Sequence, residues 1–302
     1  MSCNWKKYGG GPLLHYRVVD VFTTKALEGN PLAVFMDASQ LDETVMQSIA
    51  REINLAETAF ILPPDNRANA ARVRIFTPRK EMLFAGHPTI GTSFVLLNEG
   101  LVRQGCESFV LEEKIGPVQI WVENGELPMI WLRTPPIAEG KIYERSLCAH
   151  ALGLAEDDLL NLAPQLLNAG NPTLFIALTN EKAVDRARLD LQEMKDLRNG
   201  ADEPFCVFVF ARTSEGVYSR MFAPDYGVPE DPATGSSTGS LAAFMIKHGL
   251  IGDVSGTRFI SEQGTQMGRR SLLHVKIAGH RGTEGIYVGG HVIPIAEGVM
   301  NL

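Results

Sequence analysis

The chain repeats itself. Gly29-Asn30-Pro31 returns as Gly170-Asn171-Pro172, an offset of 141 between positions 29 and 170. Arg74-Ile75-Phe76-Thr77-Pro78 returns as Arg220-Met221-Phe222-Ala223-Pro224, an offset of 146 between positions 74 and 220. Gly86-His87-Pro88-Thr89, running on through Leu96-Leu97 to Gly100-Leu101, lines up with Gly235-Ser236-Ser237-Thr238, Met245-Ile246 and Gly249-Leu250, an offset of 149. Three matches in one order, with so little drift in offset, point to two homologous halves, and 302 residues give each half an ordinary domain length. The expected division is residues 12–133 together with the last strand at about 290–302, a second domain over 141–289, and Thr134 to Gly140 as linker.

Local patterns give both halves the same mixture of strand and helix. His15 to Phe22 and Leu32 to Phe35 read as strands, with the Gly29-Asn30-Pro31 turn before the second. Met46, Ile49, Ala50 and Ile53 fall at i, i+3, i+4 and i+7, which predicts a helix from Asp42 to Ile53. Ala56 to Leu62 and Ala71 to Phe76 return to strand, and Asn124-Gly125 marks a hairpin between Val118–Val122 and Met129–Leu132. In the second half Phe205 to Phe210 is a continuous apolar strand, and Leu189, Leu191, Met194 and Leu197 predict an outer helix.

Two repeated helices carry the functional argument. Thr92 to Asn98 and Leu241 to Ile246 are apolar nearly all round, so each belongs inside a domain. Gly100 and Gly249 follow them, as left-handed C-terminal residues commonly do. Each is preceded by a small-residue loop, Ala85 to Thr89 or Ala233 to Thr238, with backbone N–H groups that have no intrahelical partner. Two such ends facing each other across a cleft would trap a carboxylate with main-chain atoms and the positive ends of two helix dipoles.

Composition removes the competing classes. Twenty-eight basic against 35 acidic side chains leave a net charge of −7 with no Lys/Arg cluster, which argues against nucleic acid and against an anionic membrane surface. No apolar run reaches the ~18 residues of a bilayer span. Cys3, Cys106, Cys148 and Cys206 are too scattered for a disulfide framework or a zinc site, and the histidines lack metal-ligand spacing. The start has no signal-peptide core, so a cytoplasmic protein with a leader up to Gly11 outside the fold is expected.

Three polar residues could do chemistry. In Asn54 to Leu62, a strand's period of two sets Glu57 on the face of Ala59 and Ile61, where desolvation would raise its pKa toward neutrality. An ion-paired or exposed edge-strand glutamate fits the same spacing. His87 opens a Gly-His-Pro turn, with Pro88 suited to the first helical position, and can equally be a loop anchor. Asp231 precedes the second helix loop and can equally complement the dipole, while Ser236 and Thr238 are simple cap candidates. No nucleophile elbow, Walker loop or dinucleotide fingerprint accompanies them.

These motifs resemble the PhzF-like (phenazine biosynthesis) family. The matching stretches are EGNPLAV at Glu28 to Val34, INLAETAF at Ile53 to Phe60, RIFTPRKEMLFAGHPTIGT at Arg74 to Thr92, RMFAPDYGVPEDPATGSSTG at Arg220 to Gly239 and GGHVIPIAEG at Gly289 to Gly298. The resemblance implies a diaminopimelate epimerase-like α/β fold. Two pseudo-symmetric domains would each wrap a curved, mostly antiparallel sheet round a buried helix, with the site between them. It implies Glu57 as the general acid/base, His87 and Asp231 as catalytic pocket residues, and Gly86, Gly235 and Ser236 as substrate-binding donors. It further implies a homodimer acting on a small carboxylic acid, with neither metal nor coenzyme. Where related racemases carry a cysteine in each helix-start loop, this chain has Ala85 and Thr234, which removes thiol-based two-base chemistry. Ala56 stands where the phenazine enzyme has a serine. The expected activity is a cofactor-independent proton shift on a cyclic or unsaturated acid, such as a dihydro-hydroxyanthranilate-like compound. A two-base epimerase using Glu57 and Asp231, and a non-catalytic carboxylate binder, are the alternatives.

Overall fold

The computed structural model describes residue 11 and residues 13–198, 204–252, 256–278 and 285–302. In the first half β1 (Leu13–Val21) pairs antiparallel with β2 (Asn30–Phe35), and β2 runs parallel to β3 (Thr58–Leu62). β4 (Ala71–Phe76) returns along β3 and receives the short β5 (Glu81–Met82). β6 (Ser108–Glu113) lies parallel to β4, and β7 (Gly116–Glu123) and β8 (Met129–Arg133) complete a meander. Helix α1 (Glu43–Ile53) covers one face of this sheet, where Met46, Ile49 and Ala50 meet Phe35, Phe60 and Phe76. Asp42 caps it by accepting from Val45 N, and Asn54 ends it in the left-handed region at φ 55°. Helix α2 (Gly86–Asn98) fills the other face with Ile90, Phe94, Val95 and Leu96. Gly91 lets it lie close on the sheet, because a Cβ there would stand 2.6 Å from Leu32 and 2.8 Å from Val21.

The second half repeats the plan. Its strands are β9 (Ala138–Ile142), β10 (Gln165–Asn168), β11 (Thr173–Ala177), β12 (Cys206–Arg212), β13 (Gly216–Ala223), β14 (Val228–Asp231), β15 (Arg258–Gln263) and β16 (Ser271–Ala278). Helix α6 (Gly235–Lys247) is the counterpart of α2 and packs its Phe244 among Phe175, Phe208 and Phe210. The short helices α3 (Arg145–Ala151), α4 (Glu181–Arg186) and α5 (Glu193–Arg198) cover the face that α1 covers in the first half. The fold is therefore the expected mixed α/β class, mostly strands around two buried helices. β17 (Gly285–Gly290) pairs with β8, and β18 (Val292–Asn301) runs antiparallel to β1 from Val292 opposite Val21 to Asn301 opposite Leu13.

Several element boundaries differ from the sequence expectation. Both central helices begin earlier, at Gly86 and Gly235, because small polar residues that weaken helix propensity are buried here in the core. Pro88 is accordingly the third helical residue, still within the turn whose N–H groups need no intrahelical acceptor. Ser236 is the second helical residue and not the N-cap, which is Thr234, a residue making no side-chain cap bond. Among the described residues the outer helix covers Glu193–Arg198, starting after Leu191, which is exposed. Of the expected linker, Ala138 to Gly140 already lie in β9, which pairs with β10. The leader lies outside the described residues except for Gly11, whose N–H donates to the Leu302 carbonyl.

Candidate active site

The two helix starts meet. A Cβ on Gly86 would stand 2.8 Å from both Gly235 C and Ser236 N, and one on Gly235 would stand 3.2 Å from Gly86 Cα. Only residues without a side chain allow that approach, and it gathers first-turn amides from both halves into one place. A cavity with about 490 Å³ of empty space, counting its open mouth, lies against them. All six predicted residues line it: Glu57, Gly86, His87, Asp231, Gly235 and Ser236.

Glu57 does not sit within a strand, as its spacing suggested. β3 begins one residue later at Thr58, after the left-handed turn at Asn54 has brought the chain back from α1. Only 16% of the Glu57 side chain is exposed. Its Oε2 approaches His87 Nδ1 at 3.2 Å, and the His87 side chain is 3% exposed. Asp231, at the end of β14, is 8% exposed. Asn30 ties these groups together, donating from Nδ2 to Asp231 Oδ1 at 2.8 Å and to the Ala233 carbonyl at 2.9 Å, with His87 Nδ1 at 3.4 Å. The other Asp231 oxygen accepts from the Thr234 hydroxyl in a short contact. Gln263 then fixes the loop, donating to the Asp231 carbonyl at 2.7 Å and accepting from Thr234 N at 3.3 Å.

Electrostatics follow from this dryness. Burial raises the Glu57 pKa well above the usual carboxylate range, and the neighbouring Asp231 charge raises it further. Burial also lifts Asp231 to about 6, against hydrogen bonds from Thr234, Asn30 and the Ala233 amide that favour its ionised form. His87 is pushed down to about 3 by burial, against a smaller pull from the Pro31 carbonyl, so it is neutral at neutral pH. Two acids and a neutral imidazole that can accept a hydrogen bond therefore share one flank of the cavity. Among the described residues, no group of three or more His, Cys, Asp or Glu is arranged to hold a metal ion.

The strand register identifies what faces them. β2 against β3 sets Ala33 opposite Thr58, and β3 against β4 sets Thr58 opposite Phe76. β11 against β12 sets Leu174 opposite Val207, and β12 against β13 sets Val207 opposite Phe222. Thr58 and Val207 are thus equivalent, and the residue preceding each is Glu57 in one half and Cys206 in the other. Cys206 lines the same cavity, its thiol directed to Asn171 Oδ1 at 3.6 Å, and burial pushes that thiol's pKa upward. Asn30, Asn171, Cys206 and Gln263 were not picked out as site residues from sequence. The repeated Gly-Asn-Pro signal contained the first two, whereas Cys206 and Gln263 needed the register.

With the geometry in hand, the likeness to known proteins is specific. The family model described as phenazine biosynthesis-like protein (PhzC-PhzF) matches residues 19–298. An uncharacterised isomerase of Mesorhizobium japonicum is 38% identical over 94% of this chain and 97% of its own length. The trans-2,3-dihydro-3-hydroxyanthranilate isomerase of Pseudomonas chlororaphis is 34% identical over 88% of this chain and 91% of its own length. The crystal structure of a PhzF-family phenazine biosynthesis protein from Bacillus anthracis superposes with a TM-score of 0.85, covering 97% of this chain and all of that one, at 24% identity.

Proposed function

This chain belongs to the phenazine biosynthesis-like (PhzC-PhzF) family and is an isomerase, and from that premise we propose that it moves a proton along a small cyclic or unsaturated carboxylic acid, using its own side chains and no cofactor. A dihydro-hydroxyanthranilate-like compound is the proposed substrate type, after the activity named for the P. chlororaphis relative. The observation that carries the reading is the Glu57 carboxyl, held mostly dry beside a neutral imidazole, with Asp231 bound to the same Asn30 amide. The substrate carboxylate binds at the paired starts of α2 and α6, where Gly86, Gly235 and Ser236 supply N–H donors.

Glu57 begins as the acid, because its surroundings penalise its charge and Asp231 is the better-supported anion. Its proton passes to one carbon of the unsaturated system and the π electrons shift. The carboxylate so formed takes a proton from another carbon, whose C–H electron pair becomes the new double bond. The acid is regenerated with no net redox change. His87 stands with Nδ1 3.2 Å from Glu57 Oε2, and as a neutral imidazole it is too weak a base to take that proton.

Proton NMR in heavy water tests this, with trans-2,3-dihydro-3-hydroxyanthranilate and a panel of cyclic dienoic and amino acids. Wild type should incorporate deuterium with bond migration. Glu57→Gln should lose turnover by about a thousandfold while keeping affinity within about tenfold, since general acid/base groups contribute roughly 10²–10⁴ in rate. Full activity in that variant would end the proposal. Deuterium at a stereocentre without bond migration would instead favour an epimerase. The register weighs against a mirrored pair of bases, because the counterpart of Glu57 is the high-pKa thiol of Cys206. Binding without exchange would identify a carboxylate-binding protein.

A further inference from the structure

A second buried carboxyl group lies behind the α2 start and takes no part in the proton transfer above. Glu113 closes β6 and is 7% exposed. Its Oε1 is 2.6 Å from the Thr89 hydroxyl, and its Oε2 is buried without a partner. That hydroxyl is also 2.8 Å from the Ala85 carbonyl, at the N-cap of α2. One hydroxyl proton cannot serve two acceptors well. The second half shows which acceptor takes it: Thr238, the counterpart of Thr89, donates to the Thr234 carbonyl at 2.9 Å. If Thr89 donates to Ala85 in the same way, the short contact to Glu113 needs its proton from Glu113.

The register gives an independent reason. β4 pairs Arg72 with Glu112, and β13 pairs Tyr218 with Glu262. Arg72 and Tyr218 are separated by the offset of the repeated Arg-x-Phe-x-Pro motif, so the following residues, Glu113 and Gln263, are equivalent. Gln263 holds the start of α6 with both a donor and an acceptor. A carboxylate offers acceptors alone, whereas a carboxylic acid offers both, as an amide does. We propose that Glu113 is kept as a neutral carboxylic acid, a positioning residue that clamps the start of α2 as Gln263 clamps that of α6.

Among the described residues, burial outweighs the one contact that favours the ionised form, the Thr89 hydroxyl. Burial raises the Glu113 pKa to about 8, with the Thr89 hydroxyl opposing. In the adjoining turn, Lys114 is engaged with Glu81 at 2.8 Å. Glu112 accepts from the Asp65 and Asn66 amides. His87 is the titratable residue of α2 and is neutral, and Glu123 ends β7 far from the turn. Ionising Glu113 would put a negative charge behind the helix end that is proposed to receive the substrate carboxylate, weakening its hold.

The test has two arms, one of which does not depend on the proposed function. In infrared difference spectra of the full-length protein at about pH 6, wild type minus Glu113→Gln, a protonated-carboxyl carbonyl band should appear beyond the band that Glu57 gives in both, and it should titrate near 8. In the second arm calorimetry follows binding of 3-hydroxyanthranilate, an aromatic carboxylate that cannot be isomerised. Wild-type affinity should fall about tenfold from about pH 7 to about pH 9, that of Glu113→Gln should stay flat, and Glu113→Ala should bind severalfold more weakly throughout. Absence of the infrared band overturns the proposal, and so does an equal alkaline loss of affinity in Glu113→Gln. If the band is present but the probe fails to bind at any pH, the neutral acid stands and the carboxylate-trap reading fails.

Discussion

Replacing Asn30 by alanine removes the side chain that joins the two halves of the site. Its amide donates to one Asp231 oxygen at 2.8 Å and to the Ala233 carbonyl at 2.9 Å. A hydrogen bond to a charged group contributes about 1.5–3 kcal/mol, and one pKa unit corresponds to about 1.4 kcal/mol, so Asp231 should rise by about one to two units. From about 6 it should move to roughly 7–8. The stability consequence has a definite sign. The folded-state pKa of Asp231 already lies above its ordinary 3.8, so its contribution is present at low pH and is lost as pH rises through the folded value. In Asn30→Ala that loss continues to higher pH. The gap in unfolding free energy between wild type and variant should therefore widen from about 1 kcal/mol on the acid side to about 2.5–4 kcal/mol on the alkaline side. Carbon-13 NMR of labelled aspartate carboxyls gives the midpoint directly, and urea unfolding across the pH range gives the gap. Glu57 should shift the opposite way once Asp231 is neutral, since that charge is one of the two causes of its elevation. An Asp231 midpoint at or below the wild-type value would refute the reasoning.

The helix starts and the buried core give further expectations. Gly86→Ala pushes a Cβ to 2.8 Å from the backbone of Gly235 and Ser236, so the halves must part at the site; a loss of about 1–3 kcal/mol in urea unfolding and weaker carboxylate binding should follow, and unchanged values for both would contradict the close approach. Phe94→Ala, in the core of the first half, should cost about 3–5 kcal/mol by the same measurement. Glu113→Gln should remove a pH dependence: the raised Glu113 pKa makes wild-type stability fall between about pH 4.5 and about pH 8, so the variant should gain relative stability over that window.

The duplication was the most legible feature, because glycines and prolines at fixed turns survive as short identical strings even when core side chains are exchanged. His87 lies in such a string and Asp231 just before one, whereas Glu57 was legible through the alternation of its strand-like stretch; all three line one cavity. The helix starts were read too late. Thr, Ser, Gly and Pro lower intrinsic helix preference, and burial in the core overrode it at Gly86–Gly91 and Gly235–Ser240. Asn30 was visible only as a turn residue, since nothing local says that its amide crosses to Asp231, 201 positions away. Gln263 carried no sequence signal at all, because one glutamine at a strand end matters only through the loop that the fold folds over it.

The strand registers also say how a symmetric scaffold comes to hold a one-sided site. Asn30 answers to Asn171, His87 to Ser236, Glu57 to Cys206 and Glu113 to Gln263. Asp231 answers to Met82, since Met221 pairs with one and Ile75 with the other. Each acid or imidazole thus faces a thiol, a hydroxyl, an amide or a thioether in the mirrored position. A racemase must remove a proton from one face of a carbon and return it to the other, which a pair of mirrored bases would serve. A proton shift along one face needs acid and base on a single flank, with a neutral wall opposite to support the ring. Cys206, Met82, Phe84 and Tyr226 are neutral residues that line the same cavity. Divergence between the halves, more than either half by itself, therefore favours migration of a double bond over inversion at a single carbon.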